Sequence, residues 1–97
     1  MGLAVYVENQ LHEREFAGPE VGRSLTALAP RASAQGQLRF VSPHGDTMFH
    51  LGQLRALSEE VREIRLGYPE QAEDADRLLA VLDLAIRRRG YLWIAGD

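Results

Sequence analysis

The sequence predicts an α+β fold, with a four-stranded, mostly antiparallel sheet and two to three helices on one of its faces. Three observations carry this expectation. Leu3, Val5 and Val7 alternate with Ala4, Tyr6 and Glu8, two long amphipathic stretches occupy Leu51 to Arg89, and the chain closes on the β-rich run Tyr91-Leu92-Trp93-Ile94-Ala95. The predicted order is strand, helix, strand, strand, helix, helix, strand, which does not alternate as a parallel α/β sheet requires. With 97 residues, 45% of them hydrophobic and 26% charged, the chain is expected to be one domain. A chain of this size buries about 65% of the surface it exposes when unfolded, enough for one core without metal or disulfide staples.

The first strand begins near Leu3, with period two and β-branched residues. Asn9 to Phe16 is charged and aperiodic (His12, Glu13, Arg14, Glu15) and is expected to be an exposed connection. A helix follows: Pro19 suits its first position, Glu20 the positive end of its dipole, and Val21, Leu25 and Leu28 share a face before Pro30 ends it. Ala32 to Gly36 is a loop by composition. Leu38 and Phe40 alternate with Arg39 and Val41, and Thr47 to Phe49 forms a second β-like run, so Ser42-Pro43-His44-Gly45-Asp46 between them is expected to be a hairpin turn. Leu51, Leu54, Leu57, Val61 and Ile64 form an apolar stripe opposite Arg55, Glu59, Glu60, Arg62 and Glu63, ended by Gly67. The last helix opens at Pro69 with Glu70, Glu73, Asp74 and Asp76 in its first turns, and closes with Arg87, Arg88, Arg89 and then Gly90. Ala72, Ala75, Leu79, Leu82 and Ile86 mark its buried side, widened by Leu78, Val81 and Ala85.

Charge and composition exclude several function classes. Fourteen acidic against eleven basic residues give a net charge of −3, the wrong sign for affinity built on neutralising phosphates, so no nucleic acid partner is expected. Every basic residue is Arg, which removes Schiff-base, P-loop and lysine-base chemistry. With no Cys there is no thiolate nucleophile and no cysteine metal site. Apolar runs of about five residues are far short of a membrane span, and no basic segment precedes an apolar one as in a signal peptide, so a cytoplasmic location is expected. Ser24, Ser33, Ser42 and Ser58 lack the G-x-S-x-G elbow, and no glycine-rich phosphate loop follows a strand. No cofactor is implied.

Four features remain as candidate sites. His44, Asp46 and His50 have the residue types of a metal or general-base centre at close spacing, but there is no fourth local ligand, and a plain turn with surface histidines explains them more simply. In that turn Asp46 is expected to hydrogen-bond neighbouring backbone N–H groups. Tyr91 and Trp93 share one face of the last strand, with Leu92 and Ile94 on the other, and the register leaves open which pair is buried. Exposed, the two rings form an interface anchor, alongside Asp46 and Asp97. Arg87 to Arg89 reads as a helix C-terminal charge cap or as a grip for an acidic partner. The acidic stretch Glu70 to Asp76 reads as a solvated first turn or as a dock for a basic surface.

Two of these segments carry a resemblance. Val41-Ser42-Pro43-His44-Gly45-Asp46-Thr47-Met48-Phe49 and the terminal Tyr91-Leu92-Trp93-Ile94-Ala95-Gly96-Asp97 resemble a loosely defined group of small bacterial proteins with a central P-x-G-D-T-x-F element and a terminal Y-L-W-x-x-G-D. The resemblance implies no activity. His50 stands where a residue such as Asn is expected, so it assigns that position no role. Its simplest physical reading is structural, with the turn and the terminal strand adjacent in the sheet.

The expected function is that of a small acidic, non-catalytic protein-binding module that meets its partner through Tyr91, Trp93, Asp97 and Asp46. Immunity proteins that neutralise a toxin domain share this size, acidity and fold, as an analogy. The alternatives are a metal-dependent or general-base enzyme centred on His44, Asp46 and His50, and a homo-oligomer joined through an edge strand.

Overall fold

The computed structural model describes residues 2–96. Its elements are β1 (Ala4–Glu8), β2 (Arg14–Phe16), α1 (Pro19–Leu28), β3 (Thr47–Phe49), α2 (Leu51–Gly67), α3 (Ala72–Arg87) and β4 (Tyr91–Ala95), with 3-10 turns at Ala29–Arg31, Leu38–Phe40 and Pro69–Gln71. The sheet has the order β2-β1-β4-β3, and every neighbouring pair is antiparallel. The three helices pack on one face of it, the α+β arrangement the sequence predicts.

The alternation in β1 and β4 sorts their side chains between two environments. Val5, Val7, Leu92 and Ile94 are buried against the helices with Phe49 of β3, and the helices contribute Val21, Leu25, Leu28, Leu54, Leu57, Val61, Ala75, Leu78, Leu82 and Ala85. Burial of each large aliphatic is worth about 1.5–3 kcal/mol, so this layer holds the sheet to the helices. On α3 the buried line runs through Ala75, Leu78, Leu82 and Ala85, while Leu79, Val81 and Ile86 are only partly covered. The expected stripe is therefore rotated by about one residue. Pro69 opens a 3-10 turn and α3 proper starts at Ala72; of the acidic residues there Glu70, Glu73 and Asp76 are exposed, as expected, Asp76 also pairing with Arg65 on α2 at 2.8 Å, while the half-buried Asp74 accepts from Ser24 Oγ on α1 at 2.9 Å.

Two segments differ from expectation. Asn9 to Phe16 is largely exposed, as expected, but it is a tight hairpin that includes a strand. Asn9 Oδ1 accepts the Leu11 and Glu13 N–H groups at 2.9 and 3.0 Å, the Asn9 N–H donates to Glu13 O at 3.0 Å, and β2 pairs with β1. Leu38 to Val41 is not a strand, so Ser42 to Asp46 is not a hairpin turn between two strands. Glu60, buried on α2, accepts the Ser33 N–H and the Leu38 N–H, each at 2.9 Å, and this pins the segment to the helix with Leu38 in the core. A strand there would need those N–H groups for a ladder.

The turn and the terminal strand do meet. β3 pairs with β4 in the register Met48↔Trp93, and the Gly96 N–H donates to Gly45 O at 3.0 Å. A Cβ on Gly96 would collide with the carbonyls of Gly45 and Ser42, so only glycine lets the strand end pass this close.

Candidate functional site

With Leu92 and Ile94 inside, Tyr91 and Trp93 point to the opposite face of the sheet, which no helix covers. That face carries a row across all four strands. The register pairs Phe16 with Tyr6, Tyr6 with Trp93, and Trp93 with Met48, so the four side chains lie side by side. Phe16 and Met48 at the ends are 52% and 43% exposed, and Tyr6 and Trp93 between them are half-buried by their neighbours. Tyr6 and Phe16 are in tilted contact with centroids 5.5 Å apart, a favourable arrangement for aromatic pairs. Beside this row the small pair Ala4↔Ala95 keeps one end of the face flat.

The other end is charged and organised by Glu8. Register places Glu8 between Arg14 on β2 and Tyr91 on β4. Glu8 is 4% exposed, and both of its carboxylate oxygens are engaged: Oε1 accepts from Arg14 Nε at 2.6 Å, and Oε2 lies 2.8 Å from His12 Nδ1. Each of these partners also covers a ring. The Arg14 guanidinium lies over Trp93 at 4.0 Å from the ring centroid, reaching across β1, and His12 stacks on Tyr91 at 6.0 Å. His12 takes the left-handed conformation, φ 64°, to bring its ring there.

The hydrogen bonds from His12 and then Arg14 hold the Glu8 carboxyl below its ordinary value, against burial, which pushes it up. A carboxyl lowered on folding stabilises the protein above its ordinary value, and that stabilisation is lost as pH falls through the lowered folded value. We therefore expect Glu8→Gln to unfold at a lower temperature than the wild type at neutral pH, with the gap closing on acidification. Melting curves recorded from neutral pH down through the carboxylate range check this, and a gap constant with pH would contradict it.

The other expected site residues are dispersed. His44 and Asp46 are exposed in the turn before β3, and His50 is exposed at the start of α2, where its N–H donates to Gln53 Oε1 at 3.0 Å in a capping box. Among the described residues no three His, Asp or Glu side chains are placed to hold a metal ion. The backbone-bonding role expected of Asp46 belongs to Ser42, whose Oγ accepts the His44 N–H at 3.2 Å. Thr47 Oγ1 secures the same turn, donating to Phe40 O at 3.3 Å. His44 also lines an apolar cleft of about 320 Å³ with Leu3, Thr26, Ala29, Val41 and Pro43, on the side of β1 away from the charged end. Asp97 lies outside the described residues. Of the C-terminal arginines, Arg87 pairs with Asp83 on its own helix and Arg88 with Glu15 on β2 at 2.7 Å, so they brace the fold at the helix end.

The open face therefore unites Tyr91 and Trp93 with residues that were not expected at the site: Tyr6, Phe16, Met48, Arg14, His12 and Glu8. The signal for Tyr6 is present, since it alternates with Val5 and Val7. Phe16 and Arg14 carry none, because β2 has only three residues and owes its existence to the hairpin.

Comparison of the chain with models of protein families, with curated proteins and with solved structures finds no match. No helix of the described residues is long and apolar enough to cross a membrane.

Proposed function

We propose that this protein is a non-catalytic, cytoplasmic protein-binding module whose partner docks on the open face of the sheet. One observation carries the reading: Phe16, Tyr6, Trp93 and Met48 form an apolar row across four strands on a face that, among the described residues, none of the three helices packs against. Contiguous exposed aromatic area of this kind is the common composition of interface anchors, with Trp, Tyr and Arg contributing most per residue. The short edge strands support face docking over edge pairing, since β2 and β3 offer three residues each as a template. Regulatory or immunity-type binding fits a small acidic α+β domain, by analogy of size and charge alone.

Tyr91→Ala with Trp93→Ala tests the reading. Leu92 and Ile94 keep the core intact, so the double variant retains its circular dichroism spectrum and a cooperative melt. It loses the partner that the wild type retains in affinity capture from the source cell, as read by quantitative mass spectrometry. Capture of the same protein by both forms at equal yield would reject the docking face, and collapse of the variant's fold would assign the two rings to stability instead.

A further inference from the structure

We infer that the open face reads a carboxylate on its partner, taken by the Arg14 guanidinium beside the aromatic row; this rests on the docking reading above. Arg14 is half-exposed, and its orientation is set twice, by the Nε hydrogen bond to Glu8 and by the Trp93 ring beneath it. Among the described residues neither of its Nη groups has a hydrogen-bond partner. Glu8 meets Arg14 through Nε alone, and its second oxygen faces His12. Of the acidic residues that flank it in the chain, Glu13 accepts from Asn9 Nδ2 at 2.8 Å, and Glu15 accepts from Arg88. A guanidinium held in place with its Nη edge free matches a carboxylate in fork geometry, and little side-chain entropy remains to be lost on binding.

The occupant is a short segment of another protein, with an Asp, Glu or C-terminal carboxylate next to apolar side chains that lie along Tyr6, Trp93 and Met48. Size favours a segment over a second copy of this chain. Strands about 4.8 Å apart and about 3.4 Å per residue give a four-stranded face on the order of 300 Å², whereas stable globular interfaces bury roughly 800 Å² per partner.

The test uses a random dodecapeptide library displayed on phage, selected on the full-length protein. Synthetic copies of the enriched peptides are then titrated against the fluorescence of Trp93, the single tryptophan of the chain. The expected result is a shared acidic residue flanked by apolar ones. Affinity then falls about tenfold or more when that residue is changed to its amide, and similarly for Arg14→Gln, with partial recovery in Arg14→Lys. The peptide amide needs no protein variant, so the measurement stands even where Arg14→Gln perturbs the fold. Enriched peptides that need Trp93 but tolerate the amide would overturn the carboxylate while leaving the docking face in place. Peptides that bind Trp93→Ser as tightly as the wild type, read by titration calorimetry because that variant has no tryptophan, or no enrichment at all, would overturn both.

Discussion

Glu60→Ala should lower stability by about 3 kcal/mol, a large fraction of what a domain of this size has. The carboxylate is 6% exposed and accepts two backbone N–H groups from a segment over twenty residues earlier in the chain, at Ser33 and Leu38. Hydrogen bonds to a charged acceptor are worth about 1.5–3 kcal/mol, and removing the acceptor leaves the Leu38 N–H buried and unsatisfied. Gly36 passes so close that a Cβ there would collide with the same carboxylate, so the loop is moulded on this side chain. The melting temperature should fall by roughly 12–24 °C, at about 4–8 °C per kcal/mol for a domain of this size. Glu60→Gln should fall between the two, since an amide can accept one of the N–H groups while its own NH₂ opposes the other. Amide hydrogen exchange at Leu38 locates the effect. An unchanged melting temperature with an unprotected Leu38 amide would show that the segment contributes nothing to global stability.

Gly90→Ala and Arg89→Gly should shift stability in opposite directions. Helix α3 ends in a Schellman arrangement, with the Arg89 N–H donating to Ile86 O at 3.0 Å and the Gly90 N–H to Ala85 O at 3.1 Å. Arg89 occupies the left-handed position, φ 53°, that glycine fills at least cost. Gly90 is needed for a different reason: a Cβ there would run into the Glu8 carbonyl, where β1 passes the start of β4. Arg89→Gly is therefore expected to stabilise by about 0.5–1 kcal/mol. Gly90→Ala pushes β1 away from β4 and is expected to cost about 3 kcal/mol. Thermal melts of both variants decide the matter, and a neutral Gly90→Ala would mean that the two strands separate at this corner without penalty.

The same corner shows what local sequence can convey. Gly90 after three arginines reads as a helix stop, and a stop is there. That the glycine is reserved for the close pass of β1, while the arginine before it takes the left-handed cap position, follows only from the pairing of β1 with β4, strands far apart in sequence. The helices α1, α2 and α3 were legible because their apolar spacing repeats over three to four turns, a property of the segment itself. Leu38 to Val41 misled because four alternating residues fit a strand equally well until a buried carboxylate on α2 claims the Leu38 N–H. β2 was hidden because three charged and aromatic residues carry no periodicity, and the Asn9-anchored turn supplies the pairing.

Periodicity by itself determined the three helices, β1 and β4, and the partition of β1 and β4 into two sets of side chains, because period two and period 3.6 are local consequences of backbone geometry. Only the tertiary structure decided which set is inside. In β4 a shift of one residue would exchange Leu92 and Ile94 for Tyr91 and Trp93, and the choice rests on the pocket that Leu25, Leu54, Leu78 and Leu82 present from three helices. The open face is likewise a tertiary product. Phe16, Tyr6, Trp93 and Met48 come from four separate strands, and the Arg14 guanidinium reaches Trp93 only because β2 folds back on β1 and β1 pairs with β4. Those pairings are set by free energies between residues distant in the chain, which no window along the sequence contains.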